Sequence, residues 1–191
     1  MKHLIVYTHL NPKSFTKAVT DEIERVLIDK GDEFKTIDLY GENFNPVLLL
    51  PDIKYNFLEG EAPDDVKAHQ DLVTWADNLI FTFPVWWASM PAILKGYIDR
   101  VFTKGYAYNY LESGKAVPLL TGKSAQLFMC AGAPEDGLKA LGYYDGMNEA
   151  LLKGIFEYCG LKSDITLFDG MSVYGHDKRV EYLNSIQEKL Q

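Results

Sequence analysis

The sequence predicts an α/β fold: a five-stranded parallel sheet with helices on both faces. Three observations carry this. Short apolar runs alternate with segments of helical spacing, strand then helix, five times over, which is the pattern of a parallel sheet covered on both sides. The chain has 191 residues, 47% of them apolar and 24% charged, enough for one sizeable core and ordinary for a globular protein. It shows no internal repeat, low-complexity tract or linker, so residues 1–191 are expected to form a single domain. Finally, the segments after the first, third and fourth strands are rich in hydroxyl, proline, tryptophan and glycine residues. Loops at the carboxyl ends of parallel strands are where such sheets bind ligands.

The elements follow in order. His3 to Thr8 (HLIVYT) is apolar and too short for a helix, so it is strand one. A polar turn, His9 to Ser14, precedes a helix over Phe15 to Asp29, with apolar residues at the helical spacing 15, 18, 19, 23, 26 and 27. Ser14 is its N-cap and Gly31 its end. Glu33 to Leu39 alternates like a strand. Tyr40 to Glu61, with Phe44-Asn45-Pro46, Pro51 and Gly60, is a long connection whose length implies function or a docked excursion. Ala62-Pro63-Asp64-Asp65 opens a helix running to about Ala76. Asn78 to Phe83 is the third strand, and Pro91 to Phe102 the helix after it. Thr103 to Gly122 is a second long connection. Ser124 to Cys130 is strand four, Ala131 to Tyr144 a glycine-rich loop, and Met147 to Tyr158 a helix. Asp164 to Phe168 is strand five, and Gly175 to Asp177 turns into a last helix over Lys178 to Leu190. With right-handed crossovers, five such strands fit the flavodoxin-like three-layer sandwich, order 2-1-3-4-5, whose ligand crevice lies beside strands one and three.

Composition excludes several functions. A net charge of -8 argues against a nucleic-acid surface, which needs a basic face. No apolar run approaches the roughly 20 residues that span a bilayer, so no membrane insertion is expected. The chain opens directly into a strand without a signal region. Cys130 and Cys159 have no metal-ligand or redox spacing and read as buried thiols, compatible with a cytoplasmic protein. His3, His9, His69 and His176 show no metal spacing; His69 reads as solvated and His176 as a helix-start residue. Gly122-Lys123-Ser124 mimics the end of a P-loop, but Val117 replaces its first glycine and a strand follows instead of a helix. Neither Gly-x-Gly-x-x-Gly nor Gly-x-Ser-x-Gly occurs.

Three loops could carry chemistry. In the first, Ser14 and Thr16 offer hydroxyls, and the N–H groups of Phe15, Thr16 and Lys17 lie unpaired in a helical first turn, where they meet an anion; His9 adds a donor or a charge. The same residues also read as a plain N-cap with a turn proline. In the second, Pro84-Val85-Trp86-Trp87 offers backbone amides and two indoles that could wall a flat pocket, or else anchor the core or a dimer interface. In the third, Ala131-Gly132-Ala133-Pro134-Glu135-Asp136-Gly137 has glycines that let backbone approach a ring edge, or is an ordinary flexible turn. Tyr143 and Tyr144 follow it, as structural tyrosines or as donors to a reacting oxygen.

With these loops placed, the chain resembles the flavodoxin-like NAD(P)H:quinone oxidoreductases of the DT-diaphorase type. The likeness is strongest across Phe81 to Phe102: Phe-x-Phe-Pro-x-x-Trp, then Pro91-Ala92-Ile93-Leu94-Lys95-Gly96, then an acidic-Arg-Val-Phe ending. Phe44-Asn45-Pro46, Tyr106-Ala107-Tyr108 and Ser14-Phe15 also fit. The resemblance implies a bound flavin. His9, Ser14, Phe15 and Thr16 fall where the family binds the phosphate end; Pro84, Val85, Trp86 and Trp87 where it lines the ribityl chain and ring; Cys130, Ala131, Gly132 and Ala133 where a Thr-Gly-Gly-like loop meets the ring's polar edge. It implies a homodimer, since a second subunit completes the family's site. It further implies two-electron transfer from NAD(P)H through the flavin to quinones by a ping-pong mechanism.

There are departures. Where mammalian members place a tyrosine and a histidine near the hydride site, this chain has Leu138 and Tyr144, which leaves Tyr144 as the catalytic candidate. The insertion after Phe57 and the C-terminal extension of larger members are missing, which favours FMN over FAD. Two other roles fit the resemblance: a regulatory flavin-binding subunit of a potassium efflux transporter, and a flavodoxin-like electron carrier.

Overall fold

Asn78–Pro84 (NLIFTFP) is buried along its whole length, as a central strand covered on both faces must be. A computed structural model, which describes residues 1–58 and 60–190, places it in the middle of a parallel sheet. The elements are β1 (Lys2–Tyr7), α1 (Phe15–Lys30), β2 (Glu33–Asp38), α2 (Leu50–Phe57), α3 (Asp64–Trp75), β3 (Asn78–Pro84) and α4 (Ala92–Val101). They continue with β4 (Tyr108–Tyr110), β5 (Ala116–Pro118), β6 (Ser124–Cys130), α5 (Glu135–Ala140), α6 (Tyr143–Met147), a π-helix (Asn148–Glu157), β7 (Lys162–Phe168), α7 (His176–Asn184) and α8 (Ile186–Lys189). The sheet order is β2-β1-β3-β6-β7, all parallel, which is the expected 2-1-3-4-5 counted within the sheet.

Alternate side chains of each strand divide between two cores. Leu79, Phe81 and Phe83 join Leu4, Val6, Leu127 and Met129 against α3, α4 and the π-helix. Ile5, Ile80 and Phe128 join Val19, Ile23 and Leu27 of α1 and Ile186 of α8 on the opposite face. α1 begins as its sequence dictates. Ser14 Oγ accepts from the Lys17 N–H at 3.1 Å, and Gly31 closes the helix at φ 72°.

Both long connections carry structure that periodicity does not reveal. Residues 40–61, of which Glu59 lies outside the described residues, contain α2. The segment docks onto α4 at Gly96, where a β-carbon would lie 2.3 Å from the Pro46 carbonyl oxygen. Thr103 to Gly122 holds the antiparallel hairpin β4–β5. Gly122-Lys123-Ser124 is a turn into β6, and the Lys123 ammonium donates to the Thr74 and Ala76 carbonyls, capping the carboxyl end of α3.

Three readings need correction. Ala131 to Tyr144 is not one loop: α5 and the start of α6 lie in it, because Pro134 with Glu135 and Asp136 makes a good first turn despite Gly137. The helix over Met147 to Tyr158 is a π-helix from Asn148, entered directly from α6. His69 is not simply solvated. It is half-buried, its ring 5.2 Å from that of Phe44 and 5.3 Å from that of Tyr97, and burial lowers its pKa.

Candidate active site at the carboxyl edge of the sheet

The loop after β1 is closed by its own side chains. His9 Nδ1 accepts from the Asn11 N–H at 2.9 Å, Asn11 Oδ1 from the Lys13 N–H at 2.9 Å, and the Asn11 carbonyl from the Ser14 N–H at 3.0 Å. These bonds hold Ser14 in its capping position. With Nδ1 accepting, the neutral His9 ring carries its proton on Nε2, and partial burial lowers its pKa. The first turn of α1 carries no acidic residue, and the Phe15 and Thr16 N–H groups have no acceptor among the described residues. Nearby, the buried Thr8 hydroxyl has no hydrogen-bond partner among the described residues.

The loop after β3 is tied to β6 by the Val85 N–H, which donates to the Cys130 carbonyl at 2.9 Å. Trp86 and Ser89 then bond each other in both directions at 3.0 Å. Between them Trp87 and Ala88 sit at φ 53° and 52°, the left-handed region. Two positive angles in succession make a mirror-image turn that normally calls for glycine or asparagine. For residues with a β-carbon this costs roughly 1–2 kcal/mol each. Trp87 is 100% exposed and Trp86 40% exposed, so neither anchors the core of this chain. The Trp86 ring lies 6.3 Å from the His9 ring, which joins the first two loops. Both indoles line an open cavity of about 460 Å³ with Tyr40, Met90 and Lys95.

The loop after β6 leans on the loop after β7. The Ala131, Gly132 and Ala133 carbonyls accept from the N–H groups of Met171, Ser172 and Gly170 at 3.0, 3.1 and 3.0 Å. At Gly132 a β-carbon would lie 2.9 Å from Ser172 Oγ, so the close approach depends on that glycine. Their own partners point the other way: the Gly132 and Ala133 N–H groups have no acceptor among the described residues. Asp169 fixes the far end by accepting from the Glu135 N–H at 2.6 Å and from the Tyr182 hydroxyl. Cys130 is buried, its thiol pushed up to about 12 by desolvation, with the Thr16 hydroxyl opposing that in part. Cys159 is buried likewise.

His9 thus meets Trp86, Val85 ties Pro84-Val85-Trp86-Trp87 to Cys130, with Ala131, Gly132 and Ala133 beyond it, and Ser14, Phe15 and Thr16 follow His9 into α1, where the Thr16 hydroxyl faces the Cys130 thiol. Tyr144 stands apart on α6, half-buried, with the Lys139 ammonium 5.1 Å from its ring centre and its carbonyl accepting from Asn148. Leu138 is buried in the larger core. The supporting role of residues 169–172 was missed, for no local motif marks a loop that acts by covering another loop's carbonyls.

The donor set fits the flavin that the resemblance implies. An acid-free helix start with two N–H groups that the Ser14 cap leaves unpaired suits a phosphate. Two more unpaired N–H groups suit a polar ring edge, and the exposed indoles suit a flat ring.

The profile of a family described as having a flavodoxin-like fold matches residues 1–190. A Haemophilus influenzae protein called an uncharacterized NAD(P)H oxidoreductase is 35% identical, over 100% of this chain and 95% of its own length. NAD(P)H dehydrogenase [quinone] 1 of Rattus norvegicus is 31% identical over 98% of this chain and 76% of its own. The solved structure of an NAD(P)H:quinone oxidoreductase from Methanothermobacter marburgensis superposes with a TM-score of 0.90 at 28% identity, covering 98% of this chain and 96% of the other.

Proposed function

The chain belongs to the flavodoxin-like family of NAD(P)H oxidoreductases, and from that premise we propose that its carboxyl-edge loops hold FMN and serve a ping-pong reduction of quinones or similar flat acceptors by NAD(P)H. The activity is that of an NAD(P)H dehydrogenase (quinone). When bound, the flavin supplies the two-electron hydride chemistry. The observation that carries the reading is that two of the loops at the carboxyl edge of the sheet offer backbone N–H groups with no acceptor among the described residues, while the loop between them is a strained turn bearing a wholly exposed tryptophan.

The protein's own groups have separate tasks. Phe15 and Thr16 N–H groups, with the start of α1, hold the phosphate and offset locally the net charge of -8. Gly132 and Ala133 N–H groups donate to the polar ring edge, where fixed donors favour negative charge without reorganising. Trp86 and Trp87 wall the ring and exclude water. His9 adds the donor Nε2. Tyr144, set apart on α6 where the family has a histidine, is the candidate that would give a proton to the acceptor oxygen. FMN is favoured over FAD because α2 passes to α3 through a short connection, without the insertion of larger members.

The same reading includes a cytoplasmic homodimer. Val47, Leu48, Leu50, Phe57 and Leu58 are exposed together on and beside α2, a row more apolar than a monomer's surface normally carries. Among the described residues no helix is long and apolar enough to cross a membrane.

The test is to load the protein with FMN, desalt it, and add NADH and NADPH in turn without oxygen. Visible flavin bands should persist through desalting, bleach with a nucleotide and return with a quinone. Retained FMN that neither nucleotide bleaches would favour the regulatory or carrier role. No retained flavin would overturn the site.

A further inference from the structure

The amino edge of the sheet, opposite the candidate site, holds a row of buried polar side chains. His3 of β1, Asn78 of β3 and Gln126 of β6 are each 0% exposed. Each stands two residues before an apolar side chain (Ile5, Ile80, Phe128) that its strand gives to the core under α1 and α8, so all three share that face. Asn78 Nδ2 donates to Gln126 Oε1 at 3.0 Å and lies 3.3 Å from His3 Nδ1. Asn78 Oδ1 accepts from the Ser124 hydroxyl at 2.8 Å. Gln126 Nε2 donates to the carbonyl of Lys189, the last residue of α8, at 2.9 Å. The row thus ends on the segment whose Ile186 and Leu190 are buried with Val19, Ile23 and Leu27 of α1. A second tie comes from α1, where the Lys30 ammonium donates to the Leu190 carbonyl at 2.9 Å.

The row has a direction. With Asn78 offering a donor, His3 Nδ1 accepts, so the ring is neutral and its proton sits on Nε2, 3.6 Å from Asp32 Oδ2. A second proton would set an Nδ1–H against the Asn78 donor. Asn78 then has to turn its amide over, and Ser124 changes from donor to acceptor. The Asn78 oxygen now meets Gln126 Oε1, Gln126 turns over as well, and its oxygen meets the Lys189 carbonyl. Two buried acceptors face each other and the tie to α8 is lost. We infer that His3 is the trigger of a pH-operated latch: its protonation reverses the donors and acceptors of the row and releases α8 from Gln126. The charged groups that face His3 are the Asp32 carboxylate, the amino terminus and Lys30; Asp164 of β7 faces Gln126. Burial lowers the pKa of His3, and Asp32 opposes this in part. The opened row therefore binds the proton more readily than the closed one. The latch is closed above the ordinary imidazole pKa of about 6.5 and is released as pH falls below it.

The test is hydrogen exchange of the full chain at pH 7.5 and 5.5, read by mass spectrometry and corrected for the intrinsic pH dependence of exchange. In wild type the peptide containing residues 185–190 should lose protection at least about tenfold relative to the β3 peptide, the scale of one lost buried hydrogen bond. His3→Asn keeps an acceptor beside Asn78 but takes no proton, so its 185–190 peptide should be equally protected at both pH values. That variant retains Asp32 and Asp164, so a loss that persists in it belongs to a carboxyl and overturns the inference. Wild-type protection that survives at pH 5.5, or that is lost equally from β3, also overturns it. If His3→Asn does not fold, Gln126→Met gives the second reading. It removes the donor to Lys189, so protection of 185–190 should be low at both pH values, and a further tenfold fall in acid would refute the latch.

Discussion

Gly96 of α4 and Pro46 of the excursion meet backbone to side, with room for nothing between them: a β-carbon on residue 96 would lie 2.3 Å from the Pro46 carbonyl oxygen and 2.4 Å from its Cβ. Neither obstacle is a flexible side-chain end, so one of the two segments must move. Gly96→Ala is expected to lower stability by about 1–3 kcal/mol, the usual range for overpacking. Urea unfolding measures this. An unchanged midpoint would mean that the excursion docks loosely.

Ser14 acts on stability and on the proposed phosphate site through one oxygen. Its Oγ caps the Lys17 N–H at 3.1 Å. Ser14→Ala should cost about 1 kcal/mol of stability and Ser14→Thr much less, by the ordinary ranking of N-caps. Thermal unfolding of both variants decides. Equal melting of wild type and Ser14→Ala would show that the neighbouring His9–Asn11 turn alone fixes the helix start.

Ala88 holds a left-handed conformation at φ 52° without the freedom of glycine. Ala88→Gly should therefore stabilise the chain by up to about 1 kcal/mol, the left-handed penalty less the chain entropy of glycine. Chemical denaturation reads the gain. A loss of stability would indicate that the Ala88 methyl is held by packing stronger than the strain.

Both thiols should be unreactive in the native state. Burial pushes Cys130 up to about 12 and Cys159 up to about 11, so at pH 8 only about one Cys130 in 10⁴ is a thiolate. Ellman's reagent should modify neither over minutes in buffer and both at once in denaturant. Rapid labelling of one thiol in the native protein would contradict its placement.

Asp65 links its ion pair with Arg100 to pH. The guanidinium beside it holds its carboxyl below the usual range. A carboxyl whose folded pKa is depressed binds its proton more readily in the unfolded chain, so its contribution is present above the unfolded pKa of about 3.9 and disappears as pH falls through the folded value. The side chain is 51% exposed, so solvent screening keeps the effect small. Wild type should exceed Asp65→Asn in stability at neutral pH and converge with it in acid. Denaturation curves across that range would refute this if the two ran parallel.

How legible the molecule was depended on the range of each signal. Ser14, Gly31 and the apolar spacing of α1 are local and gave the helix almost to the residue. The wholly buried run of β3 and its exit through Pro84 were equally plain. β4 and β5 have three residues each, too few for any alternation to register. α2 turns Leu50, Ile53, Phe57 and Leu58 to the outside, so its apolar residues do not trace an inward face. The π-helix differs from an α-helix by less than one residue per turn, which ten residues of sequence cannot resolve. Of the site, the three loops were legible because each follows its own strand. The hydrogen-bonded Arg100–Asp52–Asp65 cluster was not, since its members lie on three separate elements.

The bonding between the loops after β6 and β7 has a consequence for protein engineering. Three carbonyls of one loop are answered by three successive N–H groups of the other, and Gly132 and Ser172 share a space that admits only one side chain. The two behave as a single cassette: residues 131–133 transplanted into a related scaffold without residues 170–172 would arrive with their carbonyls unanswered, and would settle into some other shape.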